Sequence, residues 1–147
     1  MNTEKTIQDI MTTNLVTVAP EDLFGEVKLL FDKNDFHHLL VVNEEKELIG
    51  IVSLEDLWRT AYHVSFVTTG QTFSKDWYNN YQVKHMMTKK PMTIEPEDTL
   101  GLAADIFKAN KFRALPVVDG KELVGIVTPY DLMQYAFNDV SISESKN

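Results

Sequence analysis

The sequence predicts an α/β (α+β) fold made of two consecutive β-α-β-β-α repeats. Three observations carry this expectation. The chain repeats itself at an offset of about 76 residues. Each copy has apolar runs of strand length interleaved with stretches of helical period. The composition, 44% hydrophobic and 24% charged over 147 residues, is that of an ordinary globular chain.

The duplication is legible residue by residue. Met11-Thr12 and Val16-Thr17-Val18 return as Met87-Thr88 and Met92-Thr93-Ile94. Pro20-Glu21-Asp22 returns as Pro96-Glu97-Asp98, and Gly25 as Gly101. Phe31, Asn34 and Phe36 return as Phe107, Asn110 and Phe112. One residue drops out near Glu44-Glu45, at a polar turn where indels are tolerated. Lys46 to Ser53 then pairs with Lys121 to Thr128, and Asp56-Leu57 with Asp131-Leu132. About 21 of roughly 50 aligned positions are identical, far above chance for unrelated segments.

The elements follow in the same order in both copies. A short apolar run (Leu15 to Val18; Met92 to Ile94) predicts a brief strand. Pro-Glu-Asp is expected to open a helix, with Asp as its cap. Phe24, Val27, Leu30 and Phe31 recur at helical spacing, as do Leu100, Ala103, Ile106 and Phe107. Two strands come next in copy one, Leu39 to Val42 and Leu48 to Val52, joined by a turn at Asn43 to Lys46. Asp119-Gly120 is the matching hairpin signal in copy two. These strands are apolar without alternation, which predicts burial on both faces. A second helix is expected from Leu54 to His63 and from Pro129 to Phe137. The organisation reads as repeat one over 1–64, a linker over 65–81, repeat two over 82–138 and a flexible tail over 139–147. Neither copy alone buries its strands well, so packing through a pseudo-twofold axis is expected. The linker carries Phe73, Trp77 and Tyr78, either packed on the module or presented for recognition.

Charge and composition narrow the function. A net charge of −8 opposes nucleic-acid binding, which draws its affinity from neutralising phosphates. Any phosphate site must therefore be local. With no cysteine, thiolate metal sites and a Cys nucleophile are excluded. No run approaches the ~18–20 apolar residues of a membrane span. The opening residues lack a signal-peptide pattern, so the cytoplasm is the expected compartment.

Met87-Thr88 through Pro96-Glu97-Asp98-Thr99-Leu100 resembles the opening of a CBS motif, named for cystathionine β-synthase. Leu115-Pro116-Val117-Val118-Asp119 and Gly125-Ile126-Val127-Thr128-Pro129-Tyr130-Asp131-Leu132 resemble its close. The resemblance covers nearly the whole chain, twice and in order. It implies a tandem CBS-domain pair, the compact disc called a Bateman module. Such modules bind AMP, ADP, ATP or S-adenosylmethionine in clefts between motifs and usually regulate a partner; no cofactor is required.

Ser53-Leu54-Glu55-Asp56 and Thr128-Pro129-Tyr130-Asp131 sit where a strand meets a helix. Free N–H groups and the helix dipole favour a phosphate there. A carboxylate suits a pair of ribose hydroxyls. The resemblance assigns Asp56 and Asp131 to ribose, and Ser53 and Thr128 to the ribose–phosphate region. The same spacing also makes a capping box, with Pro129 at a natural first helical position. The two readings are compatible. His37-His38 stands where copy two has Arg113-Ala114, a slot the family often gives to phosphate-facing basic residues. Arg113 is permanently charged, whereas histidine titrates near neutrality. Adjacent histidines at a strand start point to opposite faces and share one metal ion poorly. The resemblance places adenine near Val16 and Met92, which are otherwise core residues. Two departures stand out. Leu15 and Leu40 replace the counterparts of Pro91 and Pro116. Glu55 and Tyr130 occupy a slot that relatives often fill with a small hydroxyl residue, and Glu55 would repel a phosphate.

Three functions are open at this stage: a sensor of an adenosine-containing ligand that signals to a separate effector, a structural homodimerisation module with vestigial clefts, and an enzyme. The third lacks a Gly-rich phosphate loop, a metal motif or a nucleophile–base set. Trp58, Tyr62, Met133 and Phe137, at matching places on the second helices, are expected to form a homodimer interface.

Overall fold

A computed structural model describes residues 4–67 and 80–145. Phe73, Trp77 and Tyr78 lie outside the described residues. Among the described residues six strands and four α-helices follow one another as β1 (Thr17–Val18), α1 (Phe24–Lys33), β2 (His38–Val42), β3 (Leu48–Ser53), α2 (Leu54–Val67), β4 (Thr88–Lys89), α3 (Leu100–Lys108), β5 (Leu115–Asp119), β6 (Glu122–Val127) and α4 (Pro129–Ser145). Short 3-10 turns at Ile7–Asp9 and Val83–His85 open the two copies. The β-α-β-β-α order recurs in copy two with its first strand, expected over Met92 to Ile94, reduced to the bridge between Ile94 and Val117, since β4 pairs with β3 of copy one.

The compact units do not coincide with the sequence repeats. One unit comprises Val16–Pro91, and the other combines Met1–Leu15 with Met92–Asn147. Each sheet is completed by the start of the other copy. In the first unit β1 runs parallel to β2, β2 pairs antiparallel with β3, and β3 pairs antiparallel with β4. The second unit follows the same plan around the β5–β6 hairpin. Ile94 bridges Val117 in parallel, as Val18 bridges Val41, and Thr12 bridges Ile126, as Thr88 bridges Ile51. Both Thr12 groups are used, N–H to Ile126 O at 2.9 Å and O from Ile126 N–H at 3.0 Å.

Two glycines permit this fourth strand. A Cβ on Gly50 would lie 2.6 Å from Met87 Sδ and 3.1 Å from the Thr88 carbonyl oxygen. On Gly125 it would lie 2.6 Å from Met11 Sδ and 3.1 Å from the Thr12 carbonyl. The repeated Met-Thr dipeptide therefore packs where a side chain is missing.

The cores match position by position. Val18, Phe24, Val27, Leu39, Val41, Val52, Leu57 and Val83 are buried in one unit. Ile94, Leu100, Ala103, Leu115, Val117, Val127, Leu132 and Ile7 take the equivalent places in the other. Leu39, Leu40 and Val41 are all within 2% of full burial, so β2 is covered on both faces as its unbroken apolar run predicts.

Three local expectations need correction. Asp22 and Asp98 do not cap helices: their carboxylates accept the N–H of Ala19 and Glu95, both at 2.8 Å, and close turns. Leu23 and Thr99 are the N-cap residues. Phe24 N–H reaches Tyr81 O and Leu100 N–H reaches Lys5 O, each at 2.8 Å, so a distant carbonyl satisfies the first N–H of each helix; at α3 the Thr99 hydroxyl also accepts Leu102 N–H at 3.2 Å. The hairpin of copy two turns at Gly120 and Lys121, since Asp119 pairs with Glu122; Gly120 holds φ +64° at the first loop position. The second helices are longer than their patterns suggest. α2 continues to Val67, into the expected linker, and α4 continues to Ser145, through most of the expected tail.

Candidate functional site

The ten predicted site residues divide into two sets of five, one on each unit. In the first, His38 pairs with Ser53 across β2 and β3, while β1 lies parallel to β2 with Thr17 beside Leu40. Val16, His37, His38, Ser53 and Asp56 therefore gather where β1 and β2 begin and β3 ends. Leu54 N–H donates to the His37 carbonyl at 2.9 Å, which ties the head of α2 to that edge. In the second unit Leu115 pairs with Val127, so Arg113 and Ala114, just ahead of β5, meet Thr128 at the end of β6. Met92 stands two residues before Ile94, which bridges β5.

Both helix heads are capped reciprocally. Ser53 N–H donates to Asp56 Oδ2 at 2.9 Å, and Asp56 N–H donates to Ser53 Oγ at 3.0 Å. Thr128 N–H and its hydroxyl donate to Asp131 Oδ2 at 2.8 and 3.1 Å, and Asp131 N–H donates to Thr128 Oγ1 at 3.3 Å. Aspartate thus does the work usually given to Glu or Gln in a capping box. The cap engages one carboxylate oxygen chiefly, and each oxygen carries two lone pairs, so acceptor capacity remains on the other.

Exposure separates the members. Val16 and Met92 are 39% and 42% exposed, so neither is a core residue. His37, Arg113, Glu55 and Tyr130 are exposed, and His38 is half-buried. Ala114 is 7% exposed and belongs to the packing at the strand start.

Two neighbours escaped the sequence reading. Thr12, on the exchanged segment, places its hydroxyl 3.4 Å from Asp131 Oδ1. Arg59, one turn along α2, donates to Asp56 Oδ1 at 3.0 Å. The i, i+3 spacing of Asp56 and Arg59 was a usable signal; Thr12 had only its repetition as Thr88.

A cavity of about 560 Å³ lies elsewhere, lined by Thr17 to Asp22 and by Val42, Asn43, Glu44 and Glu45. It opens where β1 and β2 end, the opposite end from the five residues above. Its carboxylates disfavour an anion. The Glu45 carboxyl is held above its ordinary range by a hydrogen bond to Glu47 and by repulsion from that group. Among the described residues no three His, Cys, Asp or Glu side chains are grouped to hold a metal ion, and no helix is long and apolar enough to cross a membrane.

The family profile described as "CBS domain" matches residues 7–57 and 83–138. Protein MJ1404 of Methanocaldococcus jannaschii is 28% identical over 88% of this chain, which spans 31% of that relative's length. Among solved structures, an acetoin utilization protein (AcuB) of Vibrio cholerae superposes with a TM-score of 0.78 at 26% identity, covering 96% of each chain. The CBS-pair protein CBSX2 of Arabidopsis thaliana, crystallised in complex with AMP, superposes with a TM-score of 0.75 at 26% identity, covering 90% of this chain and 96% of its own.

Proposed function

The chain belongs to the CBS-domain family, and on that premise we propose that it is a non-catalytic sensor of an adenosine-containing ligand, AMP, ADP, ATP or S-adenosylmethionine. Binding changes its conformation, and a separate effector protein in the cytoplasm reads the change. One observation carries this reading. The same set recurs at the same sheet edge of both units: an exposed apolar residue (Val16; Met92), a basic residue (His37; Arg113) and a capped aspartate at a helix head (Asp56; Asp131). The AMP held by CBSX2 supports the choice of ligand class.

In this reading Asp56 and Asp131 accept ribose hydroxyls, and Ser53, Thr128 and the helix N–H groups face the phosphate side. Arg113 pairs with phosphate through its forked donors. His37 and His38 offer ring N–H donors to the same group. Val16 and Met92 flank the adenine. A ligand that grips one arrangement better than another shifts the population by that difference in affinity.

Thermal denaturation tests the proposal. Ligand at a hundredfold excess over Kd stabilises by about 2.7 kcal/mol. For a chain of this size that raises Tm by about 5–10 °C. Asp131→Ala is expected to abolish most of that shift, with about 1 kcal/mol of intrinsic stability lost from the cap. If none of the four ligands moves Tm, the sensing reading is wrong.

Homodimerisation through the second helices is part of the same proposal. Trp58 and Tyr62 on α2 are 56% and 67% exposed, and Met133 and Phe137 on α4 are 51% and 65% exposed. Such large apolar faces on an acidic protein suit an isologous contact. Light scattering is expected to give twice the chain mass of 16.8 kDa, falling to the monomer in Trp58→Glu/Phe137→Glu. A doubled mass without any ligand-dependent Tm shift would favour a purely structural module.

A further inference from the structure

The two aspartates are not equally available. Asp131 Oδ2 takes both Thr128 donors, and among the described residues Oδ1 meets only the Thr12 hydroxyl, at 3.4 Å. That distance exceeds the 2.5–3.0 Å usual for O–H···O bonds. Asp56 Oδ2 takes Ser53 N–H in the same way, but its Oδ1 accepts a charged guanidinium donor from Arg59 at 3.0 Å. The Asp56 side chain is 14% exposed, and its Arg59 partner is 72% exposed. The repeat puts Gln134 at the place of Arg59. Its amide reaches the Tyr130 hydroxyl at 3.5 Å and leaves Asp131 alone.

Resting on the sensing function above, we infer that Arg59 is an intramolecular competitor for the Asp56 site, so that the two sites fill in order, Asp131 first. A ribose diol needs an acceptor oxygen. At Asp131 it finds Oδ1 weakly engaged. At Asp56 it must share Oδ1 with a charge-assisted hydrogen bond or displace it. Local charge acts in the same direction. The second unit sets the exposed Arg113 just ahead of β5, at the sheet edge that carries Thr128, whereas at the matching edge of the first unit Arg59 is engaged with Asp56 and the exposed Glu55 adjoins it in sequence. The contact is a surface ion pair, worth a modest amount in water, so the competition sets the order of filling without closing the site.

Calorimetric titration with AMP of the full chain tests this. The wild type is expected to show two classes of site. Arg59→Gln, which gives copy one the residue of copy two, is expected to tighten the weaker class by about two- to fivefold. Gln134→Arg is expected to weaken the stronger class by a similar factor, and Asp131→Ala to remove it while sparing the weaker. Arg59→Gln that weakens binding would show that Arg59 holds the ligand, and two equal classes insensitive to it would show that it does nothing; either result overturns the inference alone. No binding by the wild type would overturn the sensing function itself.

Discussion

Ile7→Ala is expected to destabilise the protein by about 2–5 kcal/mol, the cost of emptying a fully enclosed aliphatic site. Ile7 lies at the start of the first repeat, where sequence position alone suggests tolerance. Its side chain is nevertheless 0% exposed and sits in the core formed by Ile94, Leu100, Leu115 and Val127 of copy two. The backbone holds it there, with Ile7 N–H donating to Asp98 O at 2.8 Å. Val83 is its counterpart, 0% exposed and bonded to Asp22 O at 2.8 Å, so it enters the core of copy one in the same way. Urea denaturation with an unchanged m-value measures the loss. A deficit under about 1 kcal/mol would mean that the segment frays from the unit at little cost.

Gly125→Val is the second large effect, expected at about 1–3 kcal/mol through overpacking. The new Cβ would press on Met11 Sδ at 2.6 Å and on the Thr12 carbonyl at 3.1 Å. Methionine is pliant and can swing away. The carbonyl cannot, because it accepts Ile126 N–H in the ladder. Met11→Ala should therefore rescue part of the loss and leave the backbone share. A double-mutant cycle that finds no coupling between positions 11 and 125 would contradict this packing.

Much of the architecture could be read from the sequence because the duplication reports on itself. Phe24, Val27 and Phe31 show helical period and are buried, and the β2 run predicts coverage on both faces. What escaped was decided by distant partners. Pro-Glu-Asp looks like a helix start, yet the carbonyls of Tyr81 and Lys5 satisfy the first helical N–H groups, and local pattern carries no trace of them. β4 is two residues long and too short for any periodicity. Its signal was indirect: a glycine inside each middle strand, and a Met-Thr dipeptide retained in both copies. α4 runs on to Ser145 through a serine-rich stretch that reads as a tail, since no Gly or Pro interrupts it. At the site, Ser53, Asp56, Thr128 and Asp131 recur in type and spacing, whereas their roles and the choice of Val16, His37, His38, Met92, Arg113 and Ala114 follow from the resemblance to CBS motifs. Arg59 and Thr12 were missed because each matters through one hydrogen bond that a single sequence does not announce.

The exchange of opening segments makes the halves inseparable. A fragment that stops before the second Met-Thr keeps a sheet whose outer lane is vacant and a leading segment that has lost its host. Two such fragments could satisfy each other only by domain swapping, each lending its opening to its twin. The covalent tandem builds that reciprocal loan into one molecule, where it no longer depends on concentration.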